Sequence, residues 1–394
     1  MNLLTYSILF YIREPFLPIK GSMHFRIDHI AKTLSQIPKV FIVPRNQNAQ
    51  LIVRKYSSSK VFKTLTPIPR FPNKSKLMLV TLFGMETLFK MNKIIKENNV
   101  KTIYSFGPLA SVSAYYSRLK TPYIIDLCET DLPYVKLSMH RSLSKIIGIP
   151  TEKFILHTMT ETNSKLVVLS KAMMKYLSKQ GFDKNRIIVA YDGTDPKLFN
   201  IIDPSEKKEY SIVFTGDIGE RDGVDLLIKA FSLITKEISK AKLYIIGEGP
   251  ALRKIKRLTE KIGINNRNIV FTGWISFPRL VKILPTFYIG VAPLKPVLIN
   301  DLIIPRKVFE FTAAGVPVVA SNLSAIREVI KNNITGLLFK PNDEEDLAEK
   351  ILKLIDDENL YRRIQSNALK IANTYSVYNE TNKIINELLN MYLS

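Results

Sequence analysis

The chain has 394 residues, 46% of them apolar, and carries 57 Lys+Arg against 35 Asp+Glu, a formal net charge of +22. That is enough chain for two or three domains with sizeable cores, and it excludes a disordered or collagen-like polymer. The single cysteine, Cys128, excludes an intrachain disulfide framework, and His24, His29, His140 and His157 show no metal-ligand spacing.

No stretch reaches the ~20 apolar residues of a membrane span. Residues 3–12 are a strand's length, 77–89 contain Glu86, and 283–304 are interrupted by Pro285, Lys295 and Asp301. Met1-Asn2-Leu3 offers no basic n-region, so no signal peptide is expected. The charge is lopsided: residues 1–200 hold 30 basic and 12 acidic side chains, residues 201–394 hold 27 and 23. Between Asp28 and Glu86 there are ten Lys/Arg and no acid. Such a one-sided field points to an anionic partner, whether nucleic acid, lipid or a phosphorylated ligand. A Lys-rich solvated surface is the plain alternative, but a general bias would tint both halves.

In chain order, short β-branched runs fall at 40–43, 102–104, 123–127, 166–169, 187–189, 211–214, 242–246, 269–271, 289–292 and 316–320. Amphipathic helical patterns occupy 224–235, 251–262 and 344–354, and a last helix is expected over 378–393. Alternating strands and helices predict parallel sheets covered on both faces, and ten strands are too many for one doubly wound sheet. Two Rossmann-like domains, 1–200 and 201–377, are therefore expected, with 378–394 a helix packing back on the first. The break falls in the polar, proline-containing stretch from Asp195-Pro196 to Asp203-Pro204.

Three turns at strand carboxyl ends are the candidate ligand sites of a doubly wound domain. Gly216 follows the run 212–215, and Gly247-Glu248-Gly249-Pro250 follows 242–246. The third segment, Pro305-Arg306-Lys307-Val308-Phe309-Glu310 to Gly315, reads as a Pro-initiated helix ended by glycine. Lys307 and Glu310 are three apart and share a face, where an ammonium suits a phosphate and a carboxylate suits two ribose hydroxyls. A surface salt bridge is the commoner reading of one such pair.

These turns in this order, with Phe271-Thr272-Gly273-Trp274 between the second and third, resemble the donor domain of family 4 retaining glycosyltransferases of the group 1 type. The residues from Ile187 to Phe199 resemble that family's interdomain signature. The resemblance implies a GT-B fold, two Rossmann-like domains facing a cleft. It also implies transfer of a hexose from a nucleotide-sugar to a hydroxyl, with retention. Gly216, Arg221, Gly247, Gly273, Lys307 and Glu310 would hold the donor. Arg221 and Lys307 would also compensate the departing diphosphate. Glu129, beside Cys128 at the family's cleft-histidine position, is the catalytic candidate of the first domain.

Departures are Asp217 and Asp222 where the family has cations, Leu302 for the first of two paired glutamates, and Asp192 for an asparagine. No Asp-x-Asp clamp is present, so neither metal nor cofactor is expected, and the acids 343–346 read as charges at a helix start. Arg26 is a candidate phosphate contact. The basic stretch 29–85 and the segment 136–153 suggest peripheral attachment to an anionic, cytoplasmic membrane face, with a lipid-linked or glycan acceptor. Nucleic acid is not the expected partner. The alternatives are a non-catalytic nucleic-acid or anionic-surface binding protein on a degenerate GT-B fold, and a hydrolysing or epimerising relative.

Overall fold

Two parallel sheets carry the architecture. The computed structural model describes residues 7–12, 26, 29–30, 40–44, 100–106, 115, 121–127, 156–265 and 267–393. Among these, the first sheet comprises β1 (Ser7–Ile12), β2 (Val40–Pro44), β3 (Val100–Phe106), β4 (Tyr123–Asp126), β5 (Ser164–Val168) and β6 (Ile187–Val189), in the order β2-β1-β3-β4-β5-β6. The second comprises β7 (Lys208–Thr215), β8 (Lys242–Ile246), β9 (Ile269–Gly273), β10 (Phe287–Ala292), β11 (Val318–Ser321) and β12 (Leu337–Phe339), in the order β12-β11-β10-β7-β8-β9. Every pairing is parallel. Strands of such sheets are buried on both faces and read as unbroken apolar runs. Ile212, Val213 and Phe214 of β7, all fully buried, are an example.

The helices are α1 (Lys171–Lys179), α2 (Val224–Glu237), α3 (Leu252–Ile262), α4 (Phe277–Ile283), α5 (Leu298–Leu302), α6 (Arg306–Ala313), α7 (Ile326–Val329), α8 (Glu344–Asp356), α9 (Glu358–Thr374) and α10 (Val377–Leu393). Asp343 caps α8 by accepting from the Asp346 amide at 3.0 Å, so the acids 343–346 do open a helix. β12 was not expected. It is three residues at a sheet edge, too short to show a period.

The chain divides into two units, 1–190 with 380–394, and 191–379. Residues 191–200, expected in the first domain, pack on the second unit. The Tyr191 hydroxyl donates to Glu328 at 2.7 Å, its ring meets Tyr375 edge-on, and the Val377 amide donates to the Thr194 carbonyl at 3.1 Å. Phe199 is buried. Aromatic anchoring outweighs the polar, proline-rich look of the stretch. In α10, residues from Glu380 belong to the first unit, where Glu387 pairs with Lys165 of β5.

Arg26 is not available to a phosphate. It is buried in the first unit, with Nε 3.0 Å from Asp126 Oδ2 at the end of β4 and Nη1 donating to the Ala190 carbonyl at 3.0 Å. The Tyr104 hydroxyl donates to the same carboxylate. Deleting one member of a buried ion pair strands the other charge, at about 3–5 kcal/mol. Arg26→Leu should therefore lower the unfolding free energy by that amount, while Arg26→Leu with Asp126→Leu recovers part of it. Denaturant titration of both variants checks this.

Candidate active site

β7 pairs with β8 on one side and β10 on the other, so the turn after it sits mid-sheet. Gly216 there has φ +114, and Gly247 after β8 has φ +150. The two turns are laced by backbone. Gly216 N–H donates to the Ile246 carbonyl at 3.0 Å, Ile218 N–H to Glu248 at 2.9 Å, and Gly247 N–H to Gly273 after β9 at 3.0 Å. A side chain at 247 would lie 1.8 Å from the Gly216 carbonyl oxygen. Only glycine permits that approach at that φ. Glu248 adds a brace that the sequence did not flag, its Oε1 accepting from the Trp274 amide at 3.3 Å. Gly216, Gly247 and Gly273 therefore come together at the carboxyl ends of three adjacent strands.

The loop after β10 closes the next side. The Lys295 amide donates to the Arg221 carbonyl at 3.0 Å, and Asn300 Nδ2 donates to the same oxygen at 2.9 Å. These bonds hold the turn Glu220–Asp222 against α5. Asp222, at a position where a cation was the family expectation, accepts from the Gly219 amide at 3.2 Å. Leu302, in place of a glutamate, is simply buried in the core.

Lys307 enters from the first turn of α6. Its Nζ lies 3.9 Å from the centroid of the Phe214 ring, and its end sits 3.3 Å from where a Cβ of Gly216 would be. The nearest carboxylate oxygen is Asp222 Oδ1 at 4.0 Å, and the ammonium donates no hydrogen bond. Burial pushes it down to about 8, with Arg221 adding to the push and Asp222, Asp217 and Glu310 opposing it. Arg221, Lys307 and the two unexpected aspartates thus share one neighbourhood.

Glu310, one turn on, is equally buried. Its partner is Arg306, with Nε 2.9 Å from Oε1, and Arg306 also lies over the Phe277 ring. The i,i+4 spacing of Arg306 and Glu310 was a legible signal that the Lys307–Glu310 pairing overshadowed. Burial raises the Glu310 carboxyl, Asp192 adds to this, and Arg306 and Lys307 oppose it. Lys207, just before β7, was also missed. Buried, it donates to the Gly315 carbonyl at 2.7 Å, securing the end of the α6 segment, and desolvation pushes it to about 7. Cys128, Glu129 and most of the segments 29–85 and 136–153 lie outside the described residues.

Three comparisons with known proteins bear on the fold and on the second unit. Across the whole length the fold is GT-B. A crystal structure of Anabaena Alr3699/HepE with UDP and glucose superposes with TM-score 0.72 at 16% identity, covering 98% of this chain and 100% of that one. Sucrose-phosphate synthase from Thermosynechococcus elongatus gives TM-score 0.74 at 15% identity, covering 98% and 99%. Residues 209–357 match the family model described as glycosyl transferases group 1, and the second unit is a glycosyltransferase domain of that family. Among sequences, the chitobiosyldiphosphodolichol beta-mannosyltransferase of Candida albicans is 27% identical over 228 residues, 53% of this chain and 49% of that protein. The chain thus aligns with about half the length of that relative. The poly(glycerol-phosphate) alpha-glucosyltransferase of Bacillus subtilis is 27% identical over 183 residues, 46% of this chain and 25% of that protein.

Two outcomes follow from the geometry. Gly247→Ala must move the Gly216 turn, whereas Gly263→Ala, with φ +79 and open space around it, meets backbone strain alone. Thermal melts should show Gly263→Ala losing about 1 kcal/mol and Gly247→Ala clearly more. The second concerns pH. An unfolded Lys307 keeps its proton to about 10.5, while the folded one sheds it near 8. Between those values the unfolded chain binds more protons, so stability rises with pH. Lys307→Met should be more stable than the native chain near pH 7, by roughly 2–3 kcal/mol, with the gap closing toward pH 10.5. Parallel denaturation curves across pH read this directly.

Proposed function

We propose that the protein transfers a hexose from a nucleoside diphosphate sugar to a hydroxyl of a lipid-linked or otherwise membrane-presented glycan, with retention of anomeric configuration. The observation that carries this reading is the Lys307 ammonium, buried below Gly216 without a hydrogen-bond acceptor, one turn before the buried Glu310. A buried cation short of acceptors is completed by an anion, and a diphosphate at the Gly216 turn meets both need and reach. Glu310 accepts from the ribose hydroxyls. That carboxylate is costly to bury and is half compensated by Arg306, so two further donors stabilise it.

The chemical demand is on the leaving group, whose charge grows as the glycosidic bond breaks. Lys307 meets it as a preorganised cation in a dry site, with Arg221 second. This places charge compensation on side chains rather than a metal ion, and activity is expected to persist in EDTA. Glu129 remains the candidate of the first unit for contact with sugar or acceptor. The acceptor class draws on the relatives, one named for a dolichol-diphosphate glycan and one for poly(glycerol-phosphate). Their names give both β and α products, so the anomeric outcome is measured on product by NMR. Among the described residues no helix is long and apolar enough to cross a membrane, so the attachment proposed is peripheral.

The test is calorimetry with UDP, the nucleotide of the HepE complexes, and with other nucleoside diphosphates. One of them should bind and take up protons at pH 8–9, because the phosphate recharges an amine that is half deprotonated there. Lys307→Met should abolish the proton uptake. Glu310→Ala should weaken binding at least tenfold, from roughly 1.5–3 kcal/mol of lost carboxylate hydrogen bonds. Unchanged affinity in both variants would remove the diphosphate reading.

A further inference from the structure

The second unit has a charge asymmetry of its own. Residues 239–295 hold eleven Lys/Arg and two acids, while the remainder of 201–394 holds sixteen and twenty-one. This segment runs from β8 through α3, β9 and α4 to β10, and β8, α3 and β9 form one end of the six-stranded sheet. Ten of the eleven cations are exposed.

The centre of this edge is a groove between α2 and α3 with a volume of about 320 Å³, lined by Asp225, Lys229, Lys254, Arg257, Leu258 and Lys261. Lys254, Arg257, Leu258 and Lys261 follow i, i+3, i+4, i+7 and so form one stripe of α3. Two helices packed side by side ordinarily alternate charge across their groove. Here cations face each other, and only some of them are paired. Asp225 is taken by Lys295 at 2.7 Å, while Glu344 meets Lys229 at 3.2 Å and Glu220 meets Lys254 at 3.3 Å. Among the described residues Arg257 and Lys261 have no carboxylate within ion-pair distance.

We infer that this edge of the second unit is a docking surface for the headgroups of an anionic phospholipid membrane, with one phosphate seated in the α2–α3 groove. The inference builds on the membrane-presented acceptor proposed above but stands on a different part of the chain from the basic stretch 29–85. Two observations favour a lipid surface over a nucleic acid. The Phe271 ring is covered by Lys256, 5.5 Å from its centroid, and so is closed to a stacking base. Trp274, the chain's single tryptophan, is 49% exposed where β9 leads into α4. An exposed indole suits a headgroup boundary. The donor turns Gly247 and Gly273 end the same two strands, so docking this edge brings them toward the headgroups.

The test uses the full chain and co-sedimentation with phosphatidylcholine vesicles, with and without phosphatidylglycerol. The variants are Lys254→Glu/Arg257→Glu/Lys261→Glu, the same three to Gln, and Lys55→Glu/Lys60→Glu/Lys63→Glu/Arg70→Glu. The native chain should bind only the anionic vesicles, less at high salt. Each cation near an anionic leaflet contributes about fivefold in affinity, so the Gln variant should lose well over tenfold and the Glu variant more. Affinity for the nucleoside diphosphate that the native chain binds, measured on the same samples, should stay unchanged, which keeps failure here separate from failure of the glycosyltransferase reading. Full retention of vesicle binding by both α3 variants, with loss in the Lys55–Arg70 variant, would overturn the assignment of this edge. So would absence of binding to anionic vesicles by the native chain. A stabilisation by inorganic phosphate or by duplex DNA that the α3 variants remove, without vesicle binding, would equally overturn it.

Discussion

The site in the second unit depends on holding one ammonium, that of Lys307, out of water without giving it a full partner. Phe214 below and the Gly216 turn beside it exclude solvent, and Asp222 stops at 4.0 Å. A closer carboxylate would satisfy the amine and leave nothing for a ligand. A water-filled site would weaken every charge in it. The folded state therefore carries a desolvation penalty, the kind of penalty that a bound anion would relieve.

The rest of the second unit keeps that arrangement rigid. Backbone bonds between the turns after β7, β8 and β9 leave no room for the Gly216 peptide to move. The loop after β10 clasps the Arg221 carbonyl through Lys295 and Asn300. Lys207 and Gln365 both donate to the Gly315 carbonyl, fixing the far end of the α6 segment. The acids at 217 and 222 set the charge of the site. They pull the Lys307 amine back toward its protonated form, against burial and Arg221.

The first unit follows another logic. Its buried charges, Arg26 and Asp126, compensate each other and tie the end of β4 to Ala190, the last residue before the chain passes to the second unit. Among the described residues of that unit, this guanidinium is spent on a carboxylate and a backbone carbonyl. Basic residues alone therefore do not mark a site. The same guanidinium that reads as a phosphate contact in sequence is a structural tie once a carboxylate is found at 3.0 Å.

Strand and helix periods were legible along the chain because parallel strands buried on both faces are unbroken apolar runs, and the expected strands all lie within or beside observed ones. The glycine turns and the Lys307–Glu310 spacing were legible too, since a strand carboxyl end and one helical turn are local geometry. What sequence did not show was which groups meet across distance. Arg306 rather than Lys307 pairs with Glu310, Arg26 is spent on Asp126, Lys207 reaches Gly315, and residues 191–200 lie on the second unit. The groove of cations between α2 and α3 likewise exists only when the two helices are set side by side. Local order follows from the run of side chains in one segment. Pairing, burial and the depressed Lys307 amine depend on residues a hundred positions apart, such as Phe214 and Lys307, and only the tertiary structure brings those together.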